Sequence, residues 1–245
     1  MLGRVPARLS LRLARLGDST AAALAWRYLC HALMLLPALL NERLPAPHLP
    51  DRVVDAIPRV AWIAEHNYHL WLAAYLPVAL WLWRRDREEF RRFLWLGGVL
   101  SLLRGLTIPL TGLGPVEGPD MNAGLPAATL LAAWVDLVNP WTALTGRAAH
   151  VYLTKDLFFS GHASSTFLLW LHARKRAVLG PVALAAHLAV VAIIFLSHLH
   201  YAIDVVGAWA ITLALWAPLE LRRRGRPGAD ALAPSRRRPA PTSRR

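Results

Sequence analysis

Two stretches far apart in the chain, DLFFSGH (Asp156 to His162) and SHLHYAIDV (Ser197 to Val205), carry residue types suited to acid–base and nucleophilic chemistry. His200 and Asp204 are four residues apart, so one helical turn, if the helix reaches back that far, sets them on one face. A carboxylate on one imidazole nitrogen fixes the tautomer and leaves the other nitrogen as nucleophile or base. His162 follows Ser160-Gly161, where the small residue admits close approach by backbone or substrate. A second histidine facing the first would protonate a leaving oxygen. His198 is two residues from His200, so it points elsewhere on a helix and is given a supporting role. An H-x-H pair with a carboxylate also reads as a metal-ligand set. With no second dense His/Cys cluster, neither a metal nor a cofactor is expected.

The elements that must position these residues are membrane helices. The chain of 245 residues is 56% hydrophobic, with 11 Trp, yet its formal net charge is +13. Basic charge between long apolar runs fits cytoplasmic loops, whereas nucleic-acid binding would need a basic stripe. The single cysteine, Cys30, rules out a disulfide framework within the chain. The predicted fold is all-α, a polytopic membrane protein with a bundle of six transmembrane helices at about 21–40, 62–83, 93–112, 157–173, 178–197 and 203–221, each near the ~20 apolar residues that a crossing needs. The first is read as a retained anchor because it is long for a signal peptide and more spans follow. The segment 125–138 is too short to cross and is expected to lie in the interface.

Twenty-one Lys and Arg fall on one side: Arg4, Arg8, Arg12 and Arg15, the 84–92 and 174–176 loops, and the tail after 221. Five fall on the other: Arg43, Arg52, Arg59, Arg147 and Lys155. This asymmetry puts both termini in the cytoplasm and the His/Asp clusters at the exterior surface. Three regions follow: a basic cytoplasmic arm (1–20), the membrane catalytic domain (21–221) and a disordered basic tail (222–245) near anionic lipid. Enrichment in Ala, Leu and Arg points to a bacterial inner membrane.

Ionisable residues inside a membrane are functional candidates by default. Ser101, Arg104, Thr107 and Thr111 form one polar stripe on the third span. Arg104, about 18 Å past Arg92 at 1.5 Å per residue, falls in the outer half. There it either clamps a phosphate bidentately or pairs with Glu65 of the second span. Arg27 reads as snorkelling. His31, His172 and His187 read as packed or interfacial, and His66 and His69 as cavity-lining.

With these residues in view, the chain resembles the sphingomyelin synthase family within the type-2 phosphatidic acid phosphatase superfamily. PHLPD (47–51) resembles the family's proline-rich first signature, and RRFLWLGGVLSLLRGLTI (91–108) its second. DLFFSGH and HYAIDV resemble the third and fourth, all in order over roughly residues 45–215. The resemblance implies His200 as nucleophile, Asp204 as its orienting carboxylate, His162 as acid/base and Asp156 as a supporting carboxylate. Arg104, Ser160, Tyr201 and Glu65 are expected to contact substrate. The implied reaction moves a phosphocholine or phosphoethanolamine head group through phosphohistidine from a phospholipid donor to a lipid alcohol such as ceramide or diacylglycerol. Family members usually have Thr where Ala163 and Ala202 stand. Their acidic residue before the third signature has only Asp136 as a candidate. The phosphatase branch has Arg six residues before the nucleophilic histidine, where this chain has Ile194. Two alternatives are a lipid phosphatase or phospholipase C-type hydrolase on the same site, and a catalytically idle lipid-binding scaffold.

Overall fold

Apolar chain removed from water can satisfy its backbone polar groups only within helices or closed barrels, and every regular element among the described residues is α-helical. The computed structural model describes residues 19–139, 141–142 and 153–224. The expected basic arm and the tail beyond 224 lie outside the described residues, except for the last two positions of the arm. The helices are α1 (Thr20–Glu42), α2 (Arg52–Asp55), α3 (Ala61–Arg85), α4 (Arg87–Thr111), α5 (Ala127–Val138), α6 (Gly161–Ala173), α7 (Leu179–Leu196) and α8 (Ala202–Arg224).

Four of them, α1, α4, α7 and α8, are long and apolar enough to cross a membrane, which makes this an integral membrane protein. The other two expected spans differ from that description for separate reasons. Helix α3 has the length, at 25 residues, but Glu65, His66, Asn67 and His69 make its N-terminal third polar. Helix α6 has only 13 residues, about 20 Å of rise, because residues 153–160 run as an irregular segment before Ser160 caps the helix.

Helices α1 and α4 make the most extensive pair. Gly98 lies where a Cβ would collide with the indole of Trp26, Gly97 lies against the stem of Arg27, and Gly105 lies against Met34 and Pro37. Small residues along one face let membrane helices approach closely. Helix α6 packs against α3, α4, α7 and α8, and its residues from Ala163 to Leu169 are all buried. The interfacial segment of the sequence reading is α5, which packs on α1 through Leu130 and Ala133.

The ends of the bundle differ chemically. Where α4, α6 and α8 meet at the end away from His162 and His200, Arg176 pairs with Asp86 at 2.5 Å, Lys175 with Glu220 at 2.5 Å, and Arg223 with Glu89. At the other end, Glu42 is fully buried. Its carboxylate accepts from Thr154 N at 2.8 Å, Lys155 N at 2.5 Å, Asn122 Nδ2 at 2.6 Å and Thr154 Oγ1 at 2.9 Å. Lys155 Nζ is also buried and donates to Leu44 O and both Asp120 carboxylate oxygens, each at 2.7 Å. The irregular segment is thereby fixed to the end of α1.

Glu42→Ala would strip four donors of their acceptor at once and is expected to destabilise the protein by about 3 kcal/mol. The exposed Glu88→Ala, which loses one surface pair with Arg92, should cost about 0.5 kcal/mol or less. Thermal unfolding of the two variants in detergent, compared side by side, checks both.

Candidate active site

The His200–Asp204 pair is built by the turn between α7 and α8. Helix α7 ends at Leu196, and His198 takes φ = 51°, the left-handed conformation that commonly closes helices. Its ring is held by Ile57 O at 2.8 Å and by the Glu117 carboxylate, so it turns away from His200 and the H-x-H pair does not converge. Helix α8 starts at Ala202, whose N–H donates to Asp51 Oδ2 at 2.5 Å. The other Asp51 oxygen accepts from Val53 N at 2.9 Å and Val54 N at 3.2 Å. Asp51 therefore caps α2 and the first turn of α8 together. Asp204 Oδ2 accepts from Tyr201 N at 3.0 Å and stands 3.3 Å from His200 Nδ1. With Nδ1–H donating to the carboxylate, Nε2 keeps its lone pair.

Tyr201, expected at the substrate, is fully buried instead. Its hydroxyl accepts from Leu49 N at 3.1 Å and stands 3.1 Å and 3.0 Å from the carbonyls of Gly114 and Pro115. Burial pushes its phenol pKa up, so it stays a donor and fastens the 47–51 and 114–115 segments to the turn that carries His200. Ser160 is likewise buried, and its Oγ accepts from Ala163 N at 3.3 Å as the cap of α6.

One backbone bond joins the two histidine-bearing segments: Ser160 N donates to Asp204 O at 3.1 Å. His162, in the first turn of α6, faces His200 with ring centroids 6.3 Å apart at 61°. Its other side meets the Trp71 indole edge-on at 5.0 Å, and Trp71 stacks on Tyr75 at 5.0 Å. The two histidines that the sequence singled out are therefore brought together, with Asp204 behind one and an aromatic wall behind the other.

Arg104 pairs with Asp156 rather than with Glu65. Its Nε donates to Phe159 O at 2.7 Å, Nη2 pairs with Asp156 Oδ2 at 2.9 Å and also donates to Asp156 O, and Nη1 meets Met34 Sδ at 3.5 Å. Thr107 Oγ1 donates to Phe158 O at 2.9 Å. The fork is thus largely spent on the irregular segment, and its ion-pair partner is Asp156. Glu65 lies exposed on α3 and is not brought to this cluster. Gly161 packs on the guanidinium, 3.3 Å from where its Cβ would be.

His187, read as packed, takes Trp209 Nε1–H on Nε2 at 2.9 Å and bonds Thr166 Oγ1 through Nδ1 at 2.9 Å. Among the described residues, no group of three or more His, Cys, Asp or Glu is arranged to hold a metal ion. Asp51, Glu42 and Lys155 were not identified from the sequence as organising residues. For Asp51 the available signal was its place in PHLPD ahead of a short helix.

Residues 155–220 match the family model described as PAP2 superfamily C-terminal, and this stretch contains Asp156, His162, His200 and Asp204. The chain is 30% identical over 196 residues to phosphatidylcholine:ceramide cholinephosphotransferase 2 of Rattus norvegicus, covering 72% of this chain and 52% of that protein. The corresponding Homo sapiens protein is 29% identical over the same length. The chain spans about half the length of the curated relatives it matches. The likeness to sphingomyelin synthase-related proteins thus covers 72% of this chain.

Arg104→Lys keeps the positive charge but loses the fork that spans Asp156 and Phe159. Displacing a catalytic group by about 1 Å can cost ~10²-fold, so turnover that depends on His200 is expected to fall by about that factor. An initial-rate assay checks this, with monodispersity of the purified variant confirming that it folds.

Proposed function

We propose that this chain is a membrane lipid head-group transferase of the sphingomyelin synthase type, moving phosphocholine or phosphoethanolamine from a phospholipid to a lipid alcohol. The observation that carries the reading is the His162–His200 pair facing across 6.3 Å, with Asp204 on the far nitrogen of His200. The match to the superfamily model and the likeness to ceramide cholinephosphotransferases support it.

In this reading His200 Nε2 attacks the donor phosphorus and the phosphorus–oxygen bond to diacylglycerol breaks. His162 gives its proton to the departing oxygen. The acceptor hydroxyl then gives a proton to His162 and attacks phosphohistidine, and the phosphorus–nitrogen bond breaks to restore His200. The covalent intermediate divides one hard displacement into two easier ones. Asp204 holds the tautomer and stabilises the cationic ring as the phosphorus bond forms. Asp156 acts through Arg104, fixing the segment that presents His162. The donor is a phospholipid, the acceptor a ceramide-like or diacylglycerol-like alcohol, and no cofactor takes part. If water reached phosphohistidine, the same site would act as a hydrolase, so exclusion of water decides the outcome.

The accompanying topology has six crossings, with α3 and α6 completing the four apolar spans, both termini in the cytoplasm and the histidines facing outward. In a Cys30→Ser background, a cysteine at Met121 should label from outside intact cells with an impermeant maleimide. Cysteines at Arg87 and Lys175 should label only after permeabilisation. Labelling of either in intact cells would mean that α3 or α6 does not cross.

The reaction is tested by expressing the protein in cells lacking such enzymes and supplying fluorescent ceramide with phosphatidylcholine and phosphatidylethanolamine. The expected product is a head-group-bearing ceramide whose mass identifies the donor, reduced by at least about 10³-fold in His200→Ala. Diacylglycerol and free head group without that product would indicate the hydrolase. No His200-dependent product would exclude both enzymatic readings for these lipids.

A further inference from the structure

Arg27 lies within apolar α1, and a guanidinium at such a depth is costly unless something answers its charge. The snorkelling expected from the sequence does not describe it. Nη1 reaches across to Ser101 Oγ on α4, and Gly97 makes room for the stem. Ser101 lies on the Arg104 side of Gly97, so the head group points toward the histidine end. Among the described residues, the groups acting on it electrostatically are Tyr75, Cys30 and Arg104, with no carboxylate. A hydroxyl cannot neutralise the charge, and a guanidinium has five donors.

Arg27 itself is only half-buried. His31 follows it by four residues on the same face of α1, in line with Met34, which is buried against Arg104. His31 nevertheless keeps an exposed ring while lying within electrostatic reach of Arg27, Arg104 and Asp156. His162 in turn faces His200 with ring centroids 6.3 Å apart. On the opposite wall, Trp71 and Tyr75 continue from His162 toward Arg27. A polar path therefore runs from the reacting pair to a half-buried cation whose charge no carboxylate answers.

We propose that Arg27, with His31 and held in place by Ser101, forms a second anion subsite, and that it takes a lipid phosphate at a different level from the phosphorus facing His200. The inference rests on the proposed function for the class of ligand, while binding at the subsite does not require His200 to react. The phosphate belongs either to a zwitterionic donor or to an anionic lipid alcohol that carries its own phosphodiester. In the second case the acceptor class is an anionic phospholipid with a free hydroxyl.

The test is equilibrium binding of radiolabelled dihexanoyl lipids to the purified full chain in detergent, in a His200→Ala background so that nothing turns over. The probes are phosphatidylglycerol, phosphatidylcholine and phosphate-free dihexanoylglycerol. Arg27→Gln is expected to weaken phospholipid binding by about tenfold or more, leaving dihexanoylglycerol unchanged. An effect confined to phosphatidylglycerol identifies the anionic alcohol as the source, and an effect on both phospholipids identifies the phosphodiester they share. Should Arg27→Gln not fold, His31→Ala removes the neighbouring wall group and should weaken the same phospholipids about threefold. Phospholipid binding unchanged in the folded variant, or all three lipids weakened equally, would overturn the subsite. An intact subsite in a wild-type protein that transfers nothing would leave this inference standing and remove the functional reading instead.

Discussion

Irregular backbone within a helical membrane bundle is tolerated only where protein groups satisfy its carbonyls. Here Arg104 and Thr107 of α4 take the carbonyls of Asp156, Phe158 and Phe159, and Arg104 also pairs with the Asp156 carboxylate. Without that grip, residues 156–159 would present bare acceptors inside the bundle and the start of α6 would lose its tie to α4. The short helix, the position of His162 and the bond from Ser160 N to Asp204 O all follow from it. Glu42 fixes the same segment two residues earlier, so it is tied to α1 at one end and to α4 at the other.

The His200 side is fixed by a different set of bonds with the same result. Asp51 and Tyr201 tie the segments around residues 49 and 114–115 to the first turn of α8. His200 therefore has little freedom beyond its own side-chain torsions. The two departures from the family pattern become intelligible in this setting. Ala202 and Ala163 each receive a cap through their backbone N–H, from Asp51 and from Ser160, and that service does not need a threonine side chain.

Helical character, the pairing of His200 with Asp204 and the convergence of His162 on them were legible in the sequence, because they depend on short spacing and on the cost of polar groups among apolar ones, although His200 lies ahead of α8 and not on it. The surroundings of Arg104, Tyr201, Ser160 and Glu65 were not. A polar residue in an apolar run announces that it has a partner but not which one, and the partners of Arg104 and Tyr201 belong to segments distant in sequence. Glu65 was matched to Arg104 by depth alone, which says nothing about azimuth around the helix. The shortness of α6 was hidden because DLFF is as apolar as a span. Its departure from helix comes from anchors on α1 and α4, and local sequence does not encode them.

The central claim is that His200 Nε2 carries the head group covalently between two lipids. The most direct measurement is a rapid acid-free quench of the purified protein with a donor phospholipid labelled at phosphorus, followed by mass analysis of peptides spanning residues 197–205. The account predicts a phosphodiester-bearing adduct on His200 that is labile to acid, stable to base, chased by added acceptor alcohol and absent in His200→Ala. Turnover with no adduct on His200, or label on His162 instead, would contradict it.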